Sequence, residues 1–158
     1  MIVVSSCLAG QPVRYNGTDS LHKEIRRLVS EKKALALCPE LLGGFDTPRD
    51  PAEIVGGDGN DVLAGRAKVV EKSGRDVTAQ YIAGAQRTFR VVKELRAKAV
   101  ILKESSPSCG SALIYDGQFR DRRIAGSGVT TALLRRHGIE VLSEADAAQW
   151  LREQSKKV

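Results

Sequence analysis

The sequence predicts an α/β fold: a single-domain, three-layer, Rossmann-like architecture around a mostly parallel sheet, covering residues 1–158. Three observations predict it. Short apolar runs of strand length alternate with amphipathic stretches of helical period, the pattern of strands covered by helices. The length, 158 residues, suits one domain able to bury a core without disulfides or a structural metal. The composition, 42% hydrophobic and 28% charged, is that of a globular chain, and no apolar run approaches the ~18 residues of a membrane span.

The elements follow in order. Residues 2–6 are an apolar first strand, and residues 20–32 a helix with Leu21, Ile25, Leu28 and Val29 on one stripe and Lys23, Glu24, Arg26 and Arg27 facing water. Residues 34–37 are a short second strand. From 39 to 60 the chain turns to Gly, Pro and Asp, with Gly43-Gly44, Pro48, Pro51 and Gly56-Gly57, and reads as a long functional loop. A strand at 67–71 precedes a helix over 76–98, periodic through Val77, Tyr81, Ala85, Thr88, Val92 and Leu95. A strand at 100–102 runs into a breaker-rich loop at 105–110. Residues 112–119 read as strand or hairpin around Asp116-Gly117. A helix over 129–137 ends at Gly138, a strand spans 139–142, and Ser143 opens the last helix, with Asp146 completing an approximate capping box.

Charge and aromatic content limit the classes of partner. The surplus of positive charge is +6, the aromatic content only 4%, and the basic residues are scattered over separate segments, so a nucleic-acid platform is not expected whereas a small anionic ligand is. The start of the chain, Met-Ile-Val-Val-Ser-Ser-Cys, carries no basic leader, and a cytoplasmic location is expected. Three cysteines, Cys7, Cys38 and Cys109, cannot all pair internally, which argues for reduced thiols.

Where the cysteines fall carries the functional argument. Each follows a strand: Cys7 the first, Cys38 the second, Cys109 the strand at 100–102. In an open α/β sheet that edge is where ligands bind, so if the strands are neighbours, thiols 31 and 71 positions apart in sequence meet in space. Free cysteines are commonly small buried hydrophobes. Core packing would not, however, require the surroundings Cys38-Pro39-Glu40, Ser105-Ser106-Pro107-Ser108-Cys109-Gly110, or the turn Gly10-Gln11-Pro12 after Cys7. Soft thiolates suit zinc or an iron–sulfur cluster. No fourth cysteine exists, and His22 and His137 lie in helical stretches, so three thiolates leave one metal position open to water or substrate, as in a catalytic centre.

Several motifs in order then carry a resemblance: Ser6-Cys7-Leu8-Ala9-Gly10 with Val13-Arg14-Tyr15-Asn16-Gly17; Cys38-Pro39-Glu40 leading to Thr47-Pro48-Arg49 and Pro51-Ala52-Glu53; Lys103 with Ser106-Pro107-Ser108-Cys109-Gly110; and Gly126-Ser127-Gly128-Val129-Thr130. From the N-terminus to about Leu142 the chain resembles the thiouracil desulfidase family, a bacterial family long catalogued as a domain of unknown function. The resemblance implies a [4Fe–4S] cluster held by Cys7, Cys38 and Cys109, a fourth iron free to bind the sulfur of a thiolated pyrimidine base or nucleotide, a catalytic acidic residue at Glu40 and a catalytic serine at Ser106.

The residue types agree with that chemistry. An unsaturated iron is a suitable Lewis acid for a soft thiocarbonyl sulfur, and replacing sulfur by water needs no net redox change. Glu40, two residues from a ligand and fixed by Pro39, is placed to be the general base. Ser106 has no histidine partner and reads as a donor or proton relay, or as a plain turn former beside Pro107. Arg14 and Arg49 are expected at a substrate phosphate, and Gly128 in a Gly-x-Gly before a helix is expected to present backbone N–H groups to an anion, although a simple turn has the same appearance. Two other readings stand beside this one: a three-thiolate zinc hydrolase, and a non-enzymatic basic module that binds structured RNA.

Overall fold

The computed structural model describes residues 1–156. The last two residues of the expected 1–158 domain, Lys157 and Val158, lie outside them. The central sheet has four parallel strands in the order β2-β1-β5-β8, formed by β1 (Ile2–Ser5), β2 (Ala34–Leu37), β5 (Val100–Leu102) and β8 (Val141–Ser143). Register is fixed by Val3 opposite Leu35 and Val100, with Val100 opposite Val141.

Alternation along the strands builds the three layers. Val4 and Ile101 point to one face, where they pack with Ile25 of α1 (Lys23–Ser30) and Ala147 and Trp150 of α6 (Glu144–Lys156). Val3, Val100 and Leu102 point to the other, against Val92 of α4 (Thr78–Leu95) and Leu134 of α5 (Val129–Arg136). Both faces of β1 and β5 are therefore covered, which is why these strands read as unbroken apolar runs. The side chains of Val3, Val4, Val100, Ile101 and Leu102 are fully buried, each contributing roughly 1.5–3 kcal/mol. The expected α/β class with a mostly parallel sheet is what the chain forms.

Several boundaries differ. The first helix begins at Lys23 rather than 20, because Asp19 accepts from the Leu21 N–H and holds the preceding segment as a turn, leaving Leu21 exposed. The stretch 39–60 is not one loop. It holds a short helix, α2 (Pro39–Leu42), a strand, β3 (Ala52–Val55), and the start of α3 (Gly59–Leu63), whose Asp58 and Asp61 form a capping box. β3 pairs antiparallel with β4 (Lys68–Glu71), so the strand expected at 67–71 stands outside the central sheet. Of the stretch expected as strand or hairpin at 112–119, only β6 (Leu113–Tyr115) is strand; it pairs antiparallel with β7 (Arg123–Ala125), which lies beyond that stretch. Ser143 opens α6 as expected: it is the last residue of β8, the helix follows directly, and its Oγ accepts from the Ala145 N–H and lies 3.4 Å from Asp146 Oδ2. No helix among the described residues is long and apolar enough to cross a membrane.

Candidate functional site

The sheet order puts β1 between β2 and β5, so the chain leaves three adjacent parallel strands at one edge. Cys7 lies in the turn after β1, Cys38 is the residue before α2, and Cys109 sits in the loop after β5. All three are free thiols, and all three line one cavity of about 450 Å³, together with Glu40, Ser106, Arg14 and Arg49. Burial raises the Cys7 thiol, with nearby Cys38 adding to it, to about 11, while Cys38 and Cys109 are also raised, chiefly by burial.

Among the described residues no group of three or more His, Cys, Asp or Glu side chains is set to hold a single metal ion. Thiolates are the donors an iron–sulfur cluster takes, one to each iron, and three of them lining one cavity fit a cluster that keeps one iron without a protein ligand. No histidine lines the cavity, which agrees with a set made of sulfur alone.

Glu40 is held from two sides on the same oxygen. Its Oε1 accepts from Tyr81 OH at 2.9 Å and from Arg49 Nε at 3.0 Å, and the Arg49 and Glu40 side chains are only 7% and 12% exposed. Burial opposes the Arg49 charge, but the Glu40 carboxylate outweighs it and holds the guanidinium protonated. Burial, with Glu40 alongside, also pushes the Tyr81 phenol well above its ordinary range, so it remains a donor. Arg49 Nη1 donates to Asp46 O and Thr47 Oγ1. Expected at a phosphate, Arg49 instead uses Nε and Nη1 inside the protein, at Glu40 and the turn before it.

The Cys109 loop is organised by three neighbours. Ser106 Oγ accepts from the Cys109 N–H at 2.8 Å and lines the cavity, where its hydroxyl also favours the Cys109 thiolate. Glu104 Oε1 accepts the backbone N–H groups of Ser105, Ser111, Ala112 and Leu113, and Oε2 accepts from Ser111 Oγ. Burial works against this carboxylate's charge, yet the donors prevail and its pKa lies below the ordinary 4.5. The neighbouring Lys103 pairs with Glu144 at 3.0 Å. Ser105 itself is buried with φ at 75°, and its Oγ has no partner among the described residues.

The third neighbour is the N-terminus of α5. Gly128 N donates to Gly110 O, Val129 N to Pro107 O and Thr130 N to Ser108 O, at 2.8, 2.8 and 2.9 Å. Thr131 Oγ1 adds a bond to Cys109 O at 3.0 Å, and Ser108 and Thr130 share a hydroxyl bond at 2.8 Å. The amides expected to bind an anion thus hold the cysteine loop, and Gly128 does not line the cavity. A Cβ there would lie 2.4 Å from the Ser108 carbonyl carbon, so glycine serves close packing of two backbones.

Arg14 lines the cavity with its Nη1 bonded only to Thr18, and Lys72 and Arg123 line it too. Sequence reasoning did not single out Tyr81, Glu104, Lys72 or Arg123. Tyr81 carries the period of an ordinary buried helix face, and nothing local marks its hydroxyl. Glu104 had one available signal, an acid directly before a loop dense in polar residues and short of other acceptors.

Known proteins resemble this chain in sequence and in fold. A curated relative, the uncharacterized protein YbbK of Bacillus subtilis (strain 168), is 60% identical over 144 residues, 91% of this chain and 95% of that protein. A solved structure described as the [4Fe-4S]-dependent thiouracil desulfidase TudS superposes with a TM-score of 0.84 at 44% identity, covering 98% of this chain and 97% of that one. The sequence pattern of the 2-thiouracil desulfurase family matches residues 2–146. Motifs, fold and family pattern therefore agree, and the chain belongs to the 2-thiouracil desulfurase family.

Proposed function

We propose that this protein is an iron–sulfur-dependent desulfidase that replaces the sulfur of a thiolated pyrimidine, as free base or nucleotide, with oxygen from water. The observation that carries this reading is one cavity lined by three free thiols from three adjacent strand ends together with Glu40 and Ser106, in a chain 44% identical to a [4Fe-4S]-dependent thiouracil desulfidase. Cys7, Cys38 and Cys109 would hold the cluster. When bound, a cluster with three protein ligands supplies a soft Lewis-acidic iron with an open position, suited to polarising a C=S bond and accepting sulfide.

The chain's own residues perform the remaining steps. Glu40, whose Oε1 is taken by Tyr81 and Arg49, has Oε2 left to take a proton from the attacking water. The water oxygen bonds to the ring carbon, the carbon–sulfur bond breaks, and sulfur leaves at the level of sulfide, so no electrons are gained or lost. Ser106 Oγ, fixed by the Cys109 N–H, donates its hydrogen to the bound ring or its sulfur. Arg14, Lys72 and Arg123 line the cavity beside Asp50, Glu53 and Asp121, and of these Arg14 is the cation offered to a nucleotide phosphate.

The test is anaerobic reconstitution followed by measurement of sulfide release from a panel of thiopyrimidines. Cys7→Ser, Cys38→Ser and Cys109→Ser each lose iron and activity. Glu40→Ala and Ser106→Ala keep iron and lose turnover, Glu40→Ala by about 10²–10⁴-fold. A colourless, active protein carrying one zinc overturns the cluster reading in favour of a zinc hydrolase. Tight, salt-dependent RNA binding that survives loss of all three cysteines favours the RNA module instead.

A further inference from the structure

We propose that Tyr81 is a positioning residue for the reaction: from helix α4 it selects which oxygen of Glu40 faces the substrate. The proposal rests on the reading of Glu40 as the base. A glutamate carboxylate turns about a broad, roughly two-fold terminal torsion, so without restraint its two oxygens interchange. Two donors on one oxygen remove that freedom. Tyr81 OH at 2.9 Å and Arg49 Nε at 3.0 Å both meet Oε1, and Oε2 has no protein partner among the described residues.

The two donors are held in different ways, Arg49 by its Nη1 bonds to Asp46 O and Thr47 Oγ1 and Tyr81 by the packing of its helix. Arg49 sits on the segment between α2 and β3. Tyr81 sits on an 18-residue helix that is pressed against the very turn carrying Glu40. A Cβ on Gly84 would lie 2.2 Å from Pro39 O, and a Cβ on Gly43 would lie 2.4 Å from Gln80 O. Glycine at both places lets the α4 backbone touch the α2 backbone, which a side chain would prevent. Within that contact Phe45 packs on the Tyr81 ring at 5.1 Å, tilted by 59°. The phenol is therefore placed by the packing of two backbones and an aromatic neighbour, and it crosses 41 positions of sequence to reach Glu40. The alternative is a core tyrosine whose hydroxyl has merely found the nearest acceptor.

Tyr81→Phe distinguishes the two, because it keeps the ring and its packing and removes only the donor. With thiouracil as substrate and reconstituted protein, kcat falls about 10-fold, KM stays within about twofold, iron content matches the wild type, and the melting temperature falls by at most about 4 °C, as one lost hydrogen bond accounts for. A wild-type kcat in Tyr81→Phe overturns the proposal. So does a fall in kcat that comes with lost iron or a larger drop in melting temperature, since Tyr81 is then structural. Glu40→Gln run in parallel separates the two levels. If Glu40→Gln turns over normally, the reading of Glu40 as base has failed; if it is inactive while Tyr81→Phe is not impaired, only the positioning role has failed.

Discussion

Replacing Gly128 with alanine tests whether the N-terminus of α5 is a clamp on the Cys109 loop or an anion site. The new Cβ would stand 2.4 Å from Ser108 C, 2.5 Å from Ser108 O and 2.7 Å from Cys109 N, all backbone atoms that cannot swing aside. Ordinary carbon contacts lie near 3.5 Å, so the loop and helix must separate by roughly 1 Å. The bonds from Gly128 N to Gly110 O and from Thr130 N to Ser108 O, now 2.8 and 2.9 Å, do not survive such a shift. Two bonds at about 1 kcal/mol each, with overpacking of about 1–3 kcal/mol, give a loss of roughly 3–5 kcal/mol. For a chain of this length that corresponds to a fall of about 9–15 °C in melting temperature. Because Cys109 and Ser106 move with the loop, iron loading and turnover of free thiouracil fall as well. Calorimetry, iron content after anaerobic reconstitution and sulfide release read the three effects. A variant that melts within about 2 °C of wild type, loads iron and loses activity only toward nucleotides would refute the clamp and restore the anion site.

Other outcomes follow from the same loop and its neighbours. Arg49→Ala lowers turnover of thiouracil and of a thiouridine nucleotide alike, because it frees Glu40, whereas Arg14→Ala affects the nucleotide alone; a nucleotide-selective loss in Arg49→Ala would return that residue to the phosphate. Ser105→Gly relieves a positive φ and an orphaned hydroxyl together and raises stability by about 1 kcal/mol, or about 3 °C; an unchanged or lower melting temperature counts against both costs. Glu104→Gln tests the carboxylate that gathers the loop amides. Its folded pKa lies below the ordinary 4.5, so its stabilisation is complete above that value and is lost as pH falls through the folded value. Melting temperatures of wild type and Glu104→Gln therefore differ at neutral pH and converge in acid, and a gap that persists in strong acid contradicts the assignment.

Much of the fold was legible because burial leaves a periodic trace. Strands buried on both faces, such as β1 and β5, must be apolar throughout, and long helices such as α4 must repeat their apolar face. The stretch 39–60 was misread because its pieces are short: α2 has four residues and β3 four, too few for a period to rise above the glycines and prolines around them. Cys7, Cys38, Glu40, Ser106 and Cys109 could be singled out from the sequence because each follows a strand or stands beside a proline, and the fold brings all five to one cavity, although Cys7 and Cys109 also pack into the core. Tyr81 could not be, because a buried tyrosine and a phenylalanine leave the same trace in a helix.

Taken alone, the sequence determined the fold class, the strand exits that carry the thiols and the chemical type of the site, since these depend on local pattern and on which residues are present. Only the tertiary structure decided the assignments made by distance. Arg49 turned inward to Glu40, the amides of α5 went to the Cys109 loop, and Gly128 became a contact between backbones. A guanidinium, a set of amides and a glycine each have several possible partners, and which one they meet is fixed by how helices and loops far apart in sequence pack against one sheet edge.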